Sequence, residues 1–388
     1  MHFGPPPYLQ GLPSPVSASP TPIKPLTIGI DARSASRVLA GRGRVVRELL
    51  LSLRARDDPH RYRLYTHTAW EDLGERFTWV ELPVREPRWH LLTARRASRE
   101  CDVFLSTDSY LTAWFTSIPI VVLVHDLVAF DRSLKPRLSS AVIERATAGR
   151  ATRRAAAFIA VSQATADALL ARFARCRGRV TVARLGATRV PARAGNDRRD
   201  GTGPILAVGT LEPRKNLPRL VEAFKRLPEA LQREHRLAVV GSSGWTTGPT
   251  LSALDSLGER AELLGAVTDV ELAALYRGCA VFCYPSLGEG FGLPVLEAMS
   301  AGAPVVTSNV SSMPEVGGDA VEYVDPRDVE SIAAGLRRVL ENPQRRAELS
   351  MLGPRRAALF SWSEFAATAL GVLEAAVGAA GDGATPAR

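Results

Sequence analysis

The sequence has little of what staples small folds or builds metal centres. Its four cysteines, Cys101, Cys176, Cys279 and Cys283, form no Cys-x-x-Cys pair and stand far from any histidine cluster. That spacing argues against a zinc site or a disulfide framework and suits a reducing compartment. No Asp-x-Asp occurs anywhere, so the carboxylate pair that often holds a divalent ion beside phosphates is missing. Lysine is confined to Lys24, Lys135, Lys215 and Lys225, which leaves nearly all the positive charge to arginine. Long apolar runs are absent too. The most apolar stretch, Ile118–Phe130, is short and holds His125 and Asp126, so it reads as a buried strand entering a loop, and no membrane-crossing helix is expected. The N-terminus lacks the basic-then-apolar order of a secretory signal. Residues 1–25 instead carry eight prolines among serines and threonines, too little apolar surface to order a segment. The expected location is the cytosol, or at most the periphery of the inner face of a plasma membrane.

What is present points to two folded units. At 388 residues the chain exceeds what one hydrophobic core serves. A content of 46% hydrophobic and 23% charged residues is globular and excludes a mostly disordered or fibrous chain. The net charge of +9 is unevenly spread. Residues 1–200 hold 32 Lys and Arg against 18 Asp and Glu, a surplus of 14, whereas residues 201–388 hold 17 against 22, a deficit of 5. A basic first half suits an anionic partner, either a phosphate-bearing acceptor or an acidic membrane surface. The alternative is a scatter of solvated arginines. No helix-turn-helix or aromatic RNA-binding motif accompanies the charge, so nucleic acid is not an expected partner.

Along the chain, Leu26–Asp31 reads as a parallel strand, Gly41-Arg-Gly43-Arg44 as a glycine loop and Val45–Arg54 as a helix. Strands at Val103–Ser106, Ile120–His125, Phe158–Ser162 and Val180–Ala183 follow, with helices over Ser139–Ala157 and Gln163–Arg175. Such alternation predicts a parallel sheet covered by helices. Apolar periodicity stops over 187–203, and strand–helix alternation restarts at Ile205 and continues to Leu340. The expected organisation is a Pro-rich disordered tail (1–25), an acceptor-side domain (26–190), a linker (191–203) and a second domain (204–355). A helix crossing back to the first domain (356–377) and a disordered tail (378–388) complete it. The fold class is α/β, two Rossmann-like doubly wound domains facing each other across a cleft where ligands bind.

Two segments of the second half carry chemistry. In Gly209-Thr-Leu-Glu-Pro-Arg214-Lys215-Asn216, a tight turn leads from a strand into a helix. Free N–H groups at the helix start, with Arg214 and Lys215, suit a diphosphate; a plain basic surface loop is the alternative. In Gly288-Glu289-Gly-Phe-Gly-Leu-Pro294-Val-Leu-Glu297, glycines and Pro294 prevent one helix from joining the two glutamates. Glu289 therefore belongs to a glycine loop and Glu297 to the first turn of the next helix, which Pro294 starts well. Glycines let the backbone approach a ligand, and a loop carboxylate can accept bonds from sugar hydroxyls. For Glu297 alone, a favourable place near the helix dipole is a sufficient explanation.

These residues, with Leu263–Val267, Asp269–Leu272, Tyr276–Ala280, Tyr284–Gly302, Pro304–Val306 and Pro314–Ala320, resemble the donor half of glycosyltransferase family 4. In the first half, Asp31-Ala-Arg33, Gly41-x-Gly43-Arg44, Val124-His125-Asp126-Leu127 and Val161-Ser162 resemble it more weakly. The resemblance implies a GT-B fold and retaining, metal-independent transfer from a nucleotide sugar, with no cofactor. It implies that Arg214 and Lys215 hold the donor diphosphate, Glu297 the ribose hydroxyls and the backbone near Val267 the base. Glu289 with the amides of Gly290, Phe291, Gly292 and Leu293 would hold the transferred sugar and leaving phosphate, His125 would sit by the sugar, and Gly41 and Gly43 would close over the diphosphate. The Gly209–Asn216 turn and Gly241–Trp245 resemble mannosyltransferase-like members that build bacterial surface polysaccharide, including lipopolysaccharide. That makes GDP-mannose the expected donor and a glycan or polyprenyl-diphosphate-linked molecule the acceptor. The alternatives are UDP-glucose or dTDP-rhamnose on the same fold, or a non-catalytic scaffold of that fold. One departure is Thr210, where many relatives have arginine; Arg214 is expected to compensate. Another is the arginine-rich Ala40–Arg44 loop, where relatives often have threonine and isoleucine.

Overall fold

The computed structural model describes residues 24–36, 41–134, 136–187 and 201–381. The expected N-terminal tail up to residue 23 and most of the expected linker lie outside these residues.

Among the described residues, seven parallel strands build the first sheet: β1 (Thr27–Asp31), β2 (Arg61–Thr66), β3 (Phe77–Glu81), β4 (Val103–Ser106), β5 (Ile120–Val124), β6 (Ala157–Ala160) and β7 (Val180–Val182), in the order β3-β2-β1-β4-β5-β6-β7. Helices α1 (Arg42–Arg54), α2 (Arg88–Glu100), α3 (Leu138–Arg154) and α4 (Gln163–Arg172) belong to this half. The second sheet holds β8 (Ile205–Val208), β9 (Leu237–Val240), β10 (Ala261–Gly265), β11 (Val281–Tyr284), β12 (Val305–Ser308) and β13 (Glu322–Val324), in the order β10-β9-β8-β11-β12-β13. Its helices are α5 (Leu217–Lys225), α6 (Glu229–Glu234), α7 (Gly248–Asp255), α8 (Asp269–Gly278), α9 (Leu293–Ser300), α10 (Met313–Gly317) and α11 (Val329–Leu340). The chain closes with α12 (Pro343–Ala357) and α13 (Trp362–Gly381).

Both sheets reverse strand order between their first and fourth strands, which is the doubly wound arrangement that opens a crevice at the carboxyl edge. The central strands explain the order. Val281–Tyr284 and Ile120–Val124 are buried throughout, as strands covered on both faces must be. Strands β2 and β3 and helix α2 were not anticipated. Arg61-Tyr-Arg-Leu-Tyr-Thr mixes arginine into a half-apolar run, and β3 at the sheet edge buries only Phe77 and Val80, so neither has the continuous apolar signature of an inner strand.

The chain passes between the domains twice, and the passes touch. Ala187 N–H donates to the Phe360 carbonyl at 3.2 Å, and a side chain at Gly186 would collide with the Trp362 backbone. Beyond that point α13 buries Trp362, Phe365, Ala366, Ala369, Leu370 and Leu373 in the core that also holds Val46, Leu49, Leu50 and Leu53 of α1. His60, buried, fastens it: its Nδ1 accepts from Leu26 N–H, so Nε2 donates to Glu374 at 2.9 Å. Two expectations change here. The crossing helix is one continuous element over Trp362–Gly381, so residues 378–381, expected to belong to the disordered tail, are helical; the rest of that expected tail lies outside the described residues. The stretch Pro343–Gly381 also holds a window long and apolar enough to cross a membrane by length and composition, contrary to the sequence expectation. The apolar stripe of α13 nevertheless faces the first domain, as a core helix does. Replacing Phe365, 1% exposed, with alanine is expected to destabilise the protein by about 3 kcal/mol, read as a lower urea midpoint with an unchanged slope.

Candidate active site

The carboxyl edges of the two sheets enclose a cleft of about 880 Å³. Its wall is made where strands stop: β8 hands over to Gly209 and the Thr210–Lys215 turn, β11 to the loop of Glu289, and β5 to His125. Of the residues singled out from sequence, Gly41, His125, Arg214, Lys215, Val267, Glu289, Gly290, Phe291, Gly292, Leu293 and Glu297 all line this cleft. Gly43 does not. It lies buried inside the first turn of α1, and only Gly41, at the helix start with φ 49°, faces the cavity.

Glu289 is the most heavily bonded group in the cleft. Lys215 Nζ donates to its Oε1 at 2.7 Å, as do Tyr284 OH at 2.8 Å and Ser286 Oγ at 2.7 Å, while Arg214 Nη1 donates to Oε2. Arg214 Nε in turn pairs with Glu212, which is buried. Burial by itself would raise the Glu289 carboxyl, but Arg214 and Lys215 outweigh it and hold the group down at about 2. Lys215 is drawn below its ordinary range by burial and by Arg214, with Glu289 opposing. Two cations thus face two carboxylates in a desolvated pocket. Buried ion pairs of this kind contribute little net stability compared with apolar packing, so a chemical use is the better account of them. Lys215 Nζ also donates to Tyr284 OH, so among the described residues Arg214 Nη2 and the third Lys215 proton remain without a partner, leaving donors for an anion.

The glycine loop is docked across the cleft. The Gly290 carbonyl accepts from Ser162 Oγ at 2.6 Å and Thr165 Oγ1 at 3.0 Å, at the start of α4, where Ser162 also caps the Thr165 N–H. A Cβ on Gly290 would overlap the His125 carbonyl oxygen. Gly292, with φ 103°, forms the cap of α9; its carbonyl accepts from the Val295 and Leu296 N–H groups, and Pro294 has none, so among the described residues Leu293 keeps the one first-turn N–H without a partner. His125 Nε2 lies 2.7 Å from the Thr107 carbonyl, which can only accept, so Nε2 carries the proton and Nδ1 is the acceptor. Burial first, and Arg42 second, lower its pKa to about 4, keeping the ring neutral at pH 7. Arg42 itself lies among Asp108, Asp126 and Glu144.

Glu297 sits deeper than expected. It is the fifth residue of α9 rather than a first-turn residue, and it is 6% exposed. Tyr276 OH donates to its Oε2 at 3.2 Å, and Arg44 Nη1, from the opposite domain, donates to its Oε1 at 3.1 Å. A helix-dipole role cannot explain a buried carboxylate with these partners. Among the described residues no three His, Cys, Asp or Glu side chains are grouped to hold a metal ion.

Two facing Rossmann-like domains with the site in the cleft between them define the GT-B class of glycosyltransferases. The chain matches the glycosyl transferases group 1 model over residues 191–356 and the glycosyltransferase family 4 model over 40–189. It is 31% identical over 332 residues to the MMP alpha-(1->4)-mannosyltransferase of Mycolicibacterium hassiacum, covering 79% of each chain. It is 43% identical over 163 residues to O-antigen chain mannosyltransferase B of Escherichia coli, an alignment covering 41% of this chain and 42% of that protein. Sucrose-phosphate synthase from Thermosynechococcus elongatus, at 19% identity, superposes with a TM-score of 0.72 over 91% of this chain and 99% of its own. The protein belongs to glycosyltransferase family 4.

Tyr284, Ser286, Glu212, Tyr276 and Arg44 were not assigned roles from sequence. Tyr284 and Ser286 lie beside the glycine loop in the Tyr-Pro-Ser run, a proximity that could have flagged them. Arg44 and Tyr276 meet Glu297 only through tertiary structure. The buried cluster has a pH signature. With the Glu289 carboxyl at about 2 when folded against 4.5 ordinarily, its stabilisation is complete above pH 5 and is lost as pH falls toward 2. Glu289→Gln is expected to lower stability by ~3 kcal/mol at pH 7 and to flatten the acid limb, measured by urea unfolding from pH 7 to pH 2.5.

Proposed function

We propose that this protein is a retaining hexosyltransferase that moves mannose from GDP-mannose to a glycan or polyprenyl-diphosphate-linked acceptor in bacterial surface polysaccharide synthesis. The observation that carries the proposal is the pairing of Glu289 with Arg214 and Lys215 beside the Gly290–Leu293 loop. Two mannosyltransferases among its relatives support the choice of sugar.

As a nucleoside diphosphate leaves the anomeric carbon, negative charge grows on phosphate and oxocarbenium character grows on the sugar. The unpartnered donors of Arg214 and Lys215, with the amides of the Gly290–Leu293 loop that line the cleft, are fixed dipoles and charges placed where that negative charge develops. They would serve without a divalent ion. Glu289, held ionised by the same two cations, is a hydrogen-bond acceptor for the hydroxyls of the transferred sugar. Neutral His125 offers Nδ1 as a second acceptor on the opposite wall. Same-face attack by the acceptor hydroxyl, with its proton passing to the departing phosphate, gives retention without a protein nucleophile. The basic first domain suits an acceptor carrying diphosphate or an anionic membrane surface.

Calorimetric titration with GDP, UDP and dTDP, in EDTA, tests the donor assignment. Micromolar binding of GDP alone supports it; binding of UDP or dTDP instead reassigns the donor, and binding of none rejects the enzyme reading in favour of a scaffold. Lys215→Ala and Glu289→Ala are each expected to fold and to lose at least about 100-fold in mannosyl transfer. Near-normal turnover in either would remove that residue from the mechanism. Gly290→Ala is expected to lose transfer comparably, because a methyl there prevents the loop from seating against His125, while donor binding to the isolated second half of the cleft weakens less.

A further inference from the structure

We propose that Arg44, supplied by the first domain, is a positioning residue of the nucleoside subsite that orients Glu297 for the ribose hydroxyls, so that this subsite is complete only when the cleft is closed. The proposal rests on the donor assignment above and adds to it a residue that works across the cleft.

Three observations support it. First, Arg44 is a buried arginine whose two side-chain hydrogen bonds both go to the other domain: Nη1 to Glu297 and Nη2 to Asp269, the first residue of α8. A long side chain on a surface helix has no need to reach into the neighbouring domain unless its charge is wanted there. Second, the bonding leaves Glu297 usable. Arg44 takes one site on Oε1 and Tyr276 one on Oε2, and a carboxylate offers about four acceptor sites, so each oxygen keeps room for one hydroxyl of a vicinal diol. Arg44 and Tyr276 together fix the plane in which those two sites lie. Third, the surroundings are otherwise hostile to charge on Glu297. It is buried, Asp269 of α8 and Glu48 of α1 are like charges, and Arg44 is the cation among the groups facing it. Burial raises the Glu297 carboxyl, Arg44 and the Tyr276 hydroxyl oppose that, and Asp269 and Glu48 reinforce it. Without Arg44 the carboxyl would take up a proton nearer neutral pH and lose an acceptor site.

The consequence is a coupling. Opening the cleft withdraws Arg44 from Glu297, weakening the hold on the nucleoside; a bound nucleoside favours the closed arrangement in which the sugar-side groups also meet.

The test is binding of the nucleoside diphosphate that wild type prefers, and of its 2′,3′-dideoxy analogue, to wild type, Arg44→Ala, Arg44→Gln, Arg44→Lys, Glu297→Gln and the Arg44→Gln/Glu297→Gln double variant. Folding is checked by circular dichroism, and binding is measured from pH 6 to 8.5. In Arg44→Gln and Arg44→Ala we expect binding at pH 7 at least tenfold weaker, a preference for the ribonucleotide over the dideoxy analogue that falls toward one, and affinity that recovers as pH rises. Arg44→Lys is expected to restore the flat pH profile and most of the preference. Adding Arg44→Gln to Glu297→Gln should cost less than twofold more. If the Arg44 variants bind weakly but keep the hydroxyl preference and a flat pH profile, Arg44 is only a brace between domains and the proposal fails. Unchanged binding also overturns it. If wild type binds no nucleotide, the donor assignment fails first and this proposal with it; a wild type that binds normally beside unaffected variants fails this proposal alone.

Discussion

Glu289 held between Arg214 and Lys215 is the contact on which the site depends. Burying two cations and two carboxylates costs hydration that apolar side chains would not lose. The arrangement persists because Glu289 accepts from four side chains and Arg214 bridges it to Glu212. The Gly209–Asn216 turn and the glycine loop come from different strand ends, β8 and β11, which are neighbours in the sheet. The ion pairs therefore lock two loops whose relative position the sheet has already set.

The second sheet delivers this cluster to one wall of the cleft, and the first sheet supplies the opposite wall. His125, Ser162 and Arg44 come from β5, from the start of α4 and from α1, and each meets the second domain at the glycine loop or at Glu297. The geometry is therefore that of a closed cleft. Closure is tied to the chain's own path. The passes at Gly186–Ala187 and Phe360–Trp362 lie side by side, and α13 anchors the second on the core of the first domain. A hinge built from two adjacent crossings permits rotation of one domain against the other while leaving each core intact.

Much of the second domain was legible because its signals are local. A strand buried on both faces is a run of valine, phenylalanine and tyrosine; a turn between strand and helix is marked by Gly209 or Gly292; a helix start is marked by Pro294. Each needs only a few consecutive residues. Strands β2 and β3 were not legible: β3 is the edge strand and buries only Phe77 and Val80, and β2, though paired on both sides, interrupts its apolar residues with Arg61 and Arg63, so neither shows a single period. The place of Glu297 was misjudged by one residue, because the helix starts at Leu293 rather than Pro294, and its burial, set by Tyr276 and by Arg44 from the other domain, has no local signal.

What the sequence determined by itself is the pair of α/β units, the cleft between them and the residues of the Gly209–Asn216 and Gly288–Glu297 segments, since backbone conformation, hydrophobic period and chemical type are properties of short stretches. What only the tertiary structure decided is who meets whom: that Lys215 and Arg214 neutralise Glu289, that Gly43 is hidden while Gly41 is exposed, and that Arg44 reaches Glu297 from 253 positions away. Electrostatic and hydrogen-bonded contacts depend on distances of a few ångströms between side chains, and those distances exist only after two sheets have twisted, packed and turned their carboxyl edges toward each other.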